Sequence, residues 1–251
     1  MEKIKADVII FGGQSNMQGQ TESLPEPNEP VKGAVEFRFY EDAFIPLQHP
    51  VGEQMHSGIC CLAASQGHGG LAPAFCRAYH EKTGREVVAI HAARGATTIA
   101  EWLYGTQLSH NLRRKGKAGI AKAREEFDVQ NVYYVWLQGE SDALIDTTEE
   151  EYLARLIEYK NQLKEFLGID RFGIIKVGYF IKHEQCEAIM RAQKKAVEID
   201  SDFAMLTEVC AALSLNEEYI NPFAQGHYNN RAMEIIGSEA GCALAEISKN
   251  A

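Results

Sequence analysis

The sequence predicts a three-layer α/β/α domain built on a doubly wound, mainly parallel sheet of five strands. Three observations lead there. Short β-branched runs alternate with amphipathic stretches of helical length, which argues for a parallel sheet covered on both faces. Right-handed crossovers then wind helices onto both sides of that sheet. The 251 residues, with 45% in the hydrophobic set and 24% charged, have a globular composition. No repeat or long linker divides the chain, so residues 1–251 are expected to form one domain, with a loop-rich insertion at about 20–70.

The expected strands are Ala6–Phe11, Glu86–His91, Asn131–Leu137, Phe172–Tyr179 and a weaker Asp202–Leu206. Each has the length of a buried strand. Helices are expected near Leu71–Lys82, Leu108–Phe127, Thr148–Leu167, Glu184–Ile199 and Asn230–Ser248. Thr148 followed by Glu151 fits a capping box. Leu153, Leu156, Ile157, Leu163 and Leu167 form an apolar stripe at helical spacing, which reads as core. Thr21–Pro30 carries three prolines and three glutamates and reads as an exposed loop.

Charge narrows the function classes. The sum is 25 basic minus 35 acidic residues, or −10. An acidic surface repels phosphate, so neither nucleic acid nor anionic membrane is an expected partner. No apolar run is long enough to span a bilayer. The run VIIF is too short for the core of a signal peptide. Six cysteines without such a peptide suggest free thiols and a cytoplasmic location. His49, His56, Cys60, Cys61 and His68 gather in the early loop, but their spacing fits no common zinc pattern. No metal or cofactor is expected.

In doubly wound sheets, ligands bind beyond the carboxyl ends of the strands. After the first strand comes GGQSNMQG, residues 12–19. Ser15 there is either a nucleophile whose own N–H helps hold an oxyanion, or a helix cap. After the second strand come Arg94, Gly95, Ala96, Thr97 and Thr98, then Trp102. Gly95 offers a bare N–H to a ligand or simply turns the chain. The third strand leads into Gln138, Gly139, Glu140, Ser141 and Asp142. These side chains donate a hydrogen bond and orient a histidine, or they form a solvated loop. His227 stands in a Pro/Gly loop before the last helix, where an imidazole can act as a base near neutral pH or sit on the surface. His91 ends a strand and reads as a core histidine.

Taken together, Gly13–Met17 (GQSNM), Gly95–Trp102, Trp136–Asp142 (WLQGESD) and His227 resemble the SGNH hydrolase superfamily, in its sialate O-acetylesterase and acetyl xylan esterase branch. The resemblance spans about residues 6–245. It implies Ser15 as nucleophile, His227 as general base, and an oxyanion hole from Ser15, Gly95 and Gln138. The aspartate that many superfamily members carry three residues before the histidine is absent, because Ala224 stands there. Glu140 is the expected orienting acid, with Asp142 as the alternative. Gln14, Asn16, Arg94 and Thr97 are candidate substrate contacts, and Arg94 would suit a carboxylate. Ala96 replaces the family's second glycine, which is tolerable unless that position needs a positive φ. The implied substrate is a small acetylated carbohydrate. An inactive carbohydrate-binding relative and a flavodoxin-like nucleotide binder are the alternatives.

Overall fold

The computed structural model describes residues 3–56, 61–65, 68–179 and 183–249, apart from the side chain of His183. Seven strands form one sheet: β1 (Lys5–Gly13), β2 (Ala34–Arg38), β3 (Ala43–Pro46), β4 (Glu86–Ala93), β5 (Asp128–Leu137), β6 (Arg171–Ile175) and β7 (Phe203–Thr207). Their order is β3-β2-β4-β1-β5-β6-β7. Among the described residues, only β3 runs antiparallel to its neighbour.

The expected five strands are therefore seven, and the fold class stands. The two additional strands lie inside the stretch read as loop. β2 escaped notice because its polar residues do not mark a solvated face. Glu36 is buried and pairs with Arg38, so the hydrophobic pattern is broken by buried charge. β3 is a four-residue edge strand ending at Pro46, where a missing N–H disrupts no central ladder.

The helices are α1 (Ser15–Gln18), α2 (Ala72–Thr83), α3 (Gln107–Glu126), α4 (Glu140–Leu144), α5 (Glu149–Leu167), α6 (His183–Ile199), α7 (Cys210–Leu213) and α8 (Asn230–Lys249). Successive residues of β5 show the layering. Tyr133 packs on Tyr79 of α2, and Tyr134 packs on Tyr159 of α5. α8 joins α2 on the first face, where Gly241 lets α8 approach the α2 backbone; a Cβ there would lie 2.3 Å from the Phe75 carbonyl oxygen. α5 starts at the expected capping box, with Glu151 N–H donating to Thr148 Oγ1 at 3.2 Å. Its buried stripe differs in part from the expected one. Tyr152, Leu156, Tyr159, Leu163 and Leu167 are buried, while Leu153 and Ile157 are half-buried.

The register brings the functional segments together. Gly13, the last residue of β1, pairs with Ala93 of β4 on one side and Leu137 of β5 on the other. Gln14, Arg94 and Gln138 therefore leave the sheet side by side. β1 lies between strands reached in opposite directions, which is where a crevice opens in such sheets. Gly13 has φ +144°, and a Cβ on it would lie 2.1 Å from the Leu137 carbonyl oxygen. Only glycine fits there. No helix among the described residues is long and apolar enough to cross a membrane.

Candidate active site

A cavity of about 320 Å³ opens at this edge, and Ser15 and His227 both line it. They are 212 residues apart in sequence, and the side chain of Asn16 joins their loops. Asn16 Nδ2 donates to the Gly226 carbonyl at 3.2 Å, and Asn16 Oδ1 accepts from Tyr228 N–H at 3.3 Å. The residue after Ser15 thus grips the chain on both sides of His227. Asn221 braces the same loop, donating from Nδ2 to the Gln20 carbonyl at 2.8 Å and from N–H to the His227 carbonyl at 2.7 Å.

The imidazole has a defined tautomer. His227 Nδ1 lies 3.1 Å from the Gln225 carbonyl oxygen. A carbonyl only accepts, so Nδ1 carries the hydrogen and Nε2 carries the lone pair. Burial lowers the pKa of His227 from its ordinary value, which favours the neutral ring that a base requires.

Glu140 sits close by but does not orient the ring directly. Its Oε1 accepts from Asn16 Nδ2 at 2.8 Å, and its buried Oε2 meets no hydrogen-bond partner among the described residues. Burial raises its pKa, against the lowering effect of the Asn16 bond. Where the resemblance implies that Glu140 orients His227, the described residues place the Gln225 carbonyl on Nδ1, and Glu140 bonds to Asn16, which in turn bonds to the histidine loop. Asp142 is not the alternative either. Its Oδ2 accepts from Ile99 N–H at 2.8 Å and Gln138 Nε2 at 2.6 Å, and its Oδ1 accepts from Thr147 Oγ1 at 3.3 Å. It fixes the turn that follows Thr98.

The expected oxyanion donors also need revision. Gly95 lines the cavity, yet its N–H donates to Gln18 Oε1 at 2.8 Å. Gln138 is wholly buried, and its Nε2 donates to the Thr97 carbonyl at 2.8 Å as well as to Asp142. In this geometry both donors are engaged by the protein itself. Among the expected substrate contacts, Gln14 and Arg94 line the cavity. Asn16 and Thr97 are buried and hold the loops; Thr97 Oγ1 donates to the Arg94 carbonyl at 2.8 Å and accepts from Trp102 Nε1 at 3.0 Å.

Ala96, Gln20, Ser141 and Leu144 complete the lining, and the last three were not singled out from the sequence. Gln18 was also missed. Its position one helical turn after Ser15 places both on one face of α1, a signal that was available. His91 is buried, with Nε2 3.2 Å from the Met17 carbonyl oxygen and a pKa pushed down to about 3 by burial. Of the early-loop cluster, Cys60 lies outside the described residues. Cys61 Sγ accepts from Arg94 Nη1 at 3.4 Å. A larger cavity, about 560 Å³, is lined by Lys32, Arg77, His80 and Gly84. Gly84 precedes β4, so that cavity lies toward the amino ends of the strands, where this fold class does not place its chemistry.

Comparison with known proteins agrees with this fold and motif set. No curated protein sequence matches the chain. Among solved structures, a protein from Arabidopsis thaliana has a TM-score of 0.72 at 17% identity, covering 98% of both chains. NanS has a TM-score of 0.65 at 14% identity and covers both chains completely. A carbohydrate acetylesterase from Xanthomonas citri has a TM-score of 0.57 at 14% identity, covering 98% of this chain and 57% of that one. At these identities the likeness shows the fold. The family is shown by the sequence itself: over residues 5–239, the chain belongs to the carbohydrate esterase, sialic acid-specific acetylesterase family.

Proposed function

We propose that the protein is a serine esterase that removes O-acetyl groups from small acetylated carbohydrates through an acyl-enzyme. The observation that carries this reading is the shared cavity of Ser15 and His227, with Asn16 tying their loops together. His227 Nε2 takes the Ser15 proton as Oγ attacks the acetyl carbonyl carbon. The oxyanion forms near the Ser15 N–H. His227 then protonates the leaving sugar oxygen, and water, activated in the same way, releases acetate.

A backbone carbonyl does here what a carboxylate does in many triads. It fixes the tautomer and supports the imidazolium, without adding a full negative charge. The cavity lining suits a polar alcohol, since Gln20, Arg94 and Ser141 offer hydrogen bonds around a small opening. Family membership supports an acetylated carbohydrate as the substrate.

The test is acetate release over a panel of acetylated sugars, with p-nitrophenyl acetate as a reporter. Ser15→Ala is expected to abolish turnover while the protein stays folded. Retained turnover would remove Ser15 as the nucleophile. Glu140→Gln separates direct from indirect orientation. We expect a loss of about tenfold in kcat, far short of the ~10⁴ typical of an acid that touches the imidazole.

A further inference from the structure

The side-chain amide of Gln14 is fixed in one orientation. Its Oε1 accepts from Ser141 N–H at 3.1 Å, Gly139 N–H at 3.3 Å and Gln138 Nε2 at 3.3 Å. Two of these partners are backbone N–H groups, which only donate. The oxygen must face them, so the amino group points the other way. Gln14 precedes α1 but makes no side-chain cap bond to it. It lines the cavity next to Ser15. No described residue accepts from Nε2, and that atom is not among the buried polar groups lacking a partner. It is therefore a donor held from behind and open at the front.

The donors expected for the oxyanion are in the opposite condition. Gly95 N–H is engaged by Gln18, and Gln138 Nε2 by Thr97, Asp142 and Gln14 itself. Gln138 is thus placed to brace Gln14 rather than to meet a ligand. We propose that Gln14 Nε2 is an oxyanion donor of this esterase, oriented by Gln138 and by the backbone of Gly139 and Ser141. The inference rests on the reading of Ser15 as nucleophile. As Ser15 Oγ bonds to the acyl carbon and its proton passes to His227, the carbonyl π pair moves onto oxygen. Nε2–H and Ser15 N–H donate to that oxygen. When the tetrahedral intermediate collapses, the pair reforms the carbonyl and the sugar oxygen leaves with the proton from His227. A preorganised neutral donor of this kind needs no rearrangement during the reaction.

Gln14→Glu tests it, because one carboxylate oxygen can still accept from Gly139 and Ser141 while the other cannot donate. Gln14→Met removes the donor without adding charge. Both are read on p-nitrophenyl acetate per folded molecule. We expect kcat to fall about 10²- to 10³-fold with KM changed by less than about threefold. A kcat within about threefold of wild type would overturn the proposal, as would a loss confined to KM, which would make Gln14 a ground-state contact for the ester. If both variants misfold, the wild type decides. In protein labelled with ¹⁵N-glutamine, a trifluoromethyl ketone adduct on Ser15 should shift the Gln14 side-chain amide protons downfield. An unshifted pair would overturn the assignment. Turnover retained by Ser15→Ala would instead remove Ser15 as the nucleophile on which this inference rests, so the two failures are distinct.

Discussion

Two buried polar clusters in this molecule differ in composition and in what they are built for. One surrounds the cavity: Gln14, Asn16, Gln138, Glu140 and Asp142 join the ends of β1 and β5 to the histidine loop. Most of its bonds run through neutral amides and backbone groups. The other lies under the early loop and consists of ion pairs. Lys115 of α3 is wholly buried, with Nζ 2.9 Å from Glu53 Oε1. Arg38 Nη2 stands 3.4 Å from Glu36 Oε2, and Glu36 Oε1 accepts from Gly52 N–H at 2.8 Å. Burial drives the Lys115 pKa down and the Glu36 pKa up, each opposed by its partners. The contrast teaches that buried charge alone does not mark a site. The ion-pair cluster ties an irregular segment to the sheet edge. The amide cluster holds Ser15 and His227 at a crevice.

The strongest way to break this comparison is Lys115→Met. It leaves half-buried Glu53 without its ion-pair partner, while buried Glu36 keeps Arg38, so we expect stability to fall by about 3 kcal/mol. Urea denaturation measures that loss. Turnover per folded molecule is expected to stay near wild type, because Lys115 touches neither Ser15 nor His227. A large fall in kcat at full folding would mean that the ion-pair cluster belongs to the chemistry after all.

The same contrast explains what could be read in advance. β1, β4 and β5 were legible because β-branched runs with apolar flanks need no partner to be recognised. β2 was not, since Glu36 becomes a core residue only when Arg38 and the Gly52 backbone are beside it. Ser15, Gly95, Gln14, Arg94 and His227 were all read from motifs, and all line one cavity. The roles of Gln138 and Glu140 were not legible in the same way. Whether an amide faces a ligand or a neighbour depends on which carbonyl the fold sets against it. Thr97 meets Gln138 across 41 residues, a separation no local pattern encodes.

A smaller effect sharpens the electrostatic half of the comparison. In the proposed mechanism His227 must be neutral to accept the Ser15 proton, and burial lowers its pKa below the ordinary imidazole value near 6.5. A base with a lowered pKa stays active to more acidic pH. The kcat/KM profile should therefore be flat at neutral pH and bend below the ordinary value, falling about tenfold per pH unit beyond the bend. The same shift makes this histidine a stabilising influence lost in acid, since the unfolded chain binds its proton at a higher pH than the folded one. A bend above the ordinary imidazole value would indicate a carboxylate against the ring, and would return Glu140 to the role expected from sequence.

The smallest effect concerns the one motif position where this chain departs from its family and the backbone shows a consequence. Ala96 has φ +57°, the left-handed region, where its Cβ crowds the following carbonyl. That geometry costs an alanine about 1–2 kcal/mol. A glycine avoids the clash but loses about 0.4–1 kcal/mol through greater freedom in the unfolded chain. Ala96→Gly should therefore stabilise the protein by roughly 0.5–1 kcal/mol, measurable as a higher urea midpoint at unchanged slope. Because Ala96 lines the cavity beside Gly95, the same variant also probes the hold of Gln18 on the Gly95 N–H. A gain in stability with kcat unchanged would mean that the strain is local to the turn. A gain in stability with a loss in kcat would mean that the left-handed alanine keeps the turn in its working shape, and that the amide cluster owes part of its poise to a strained residue rather than to hydrogen bonds alone.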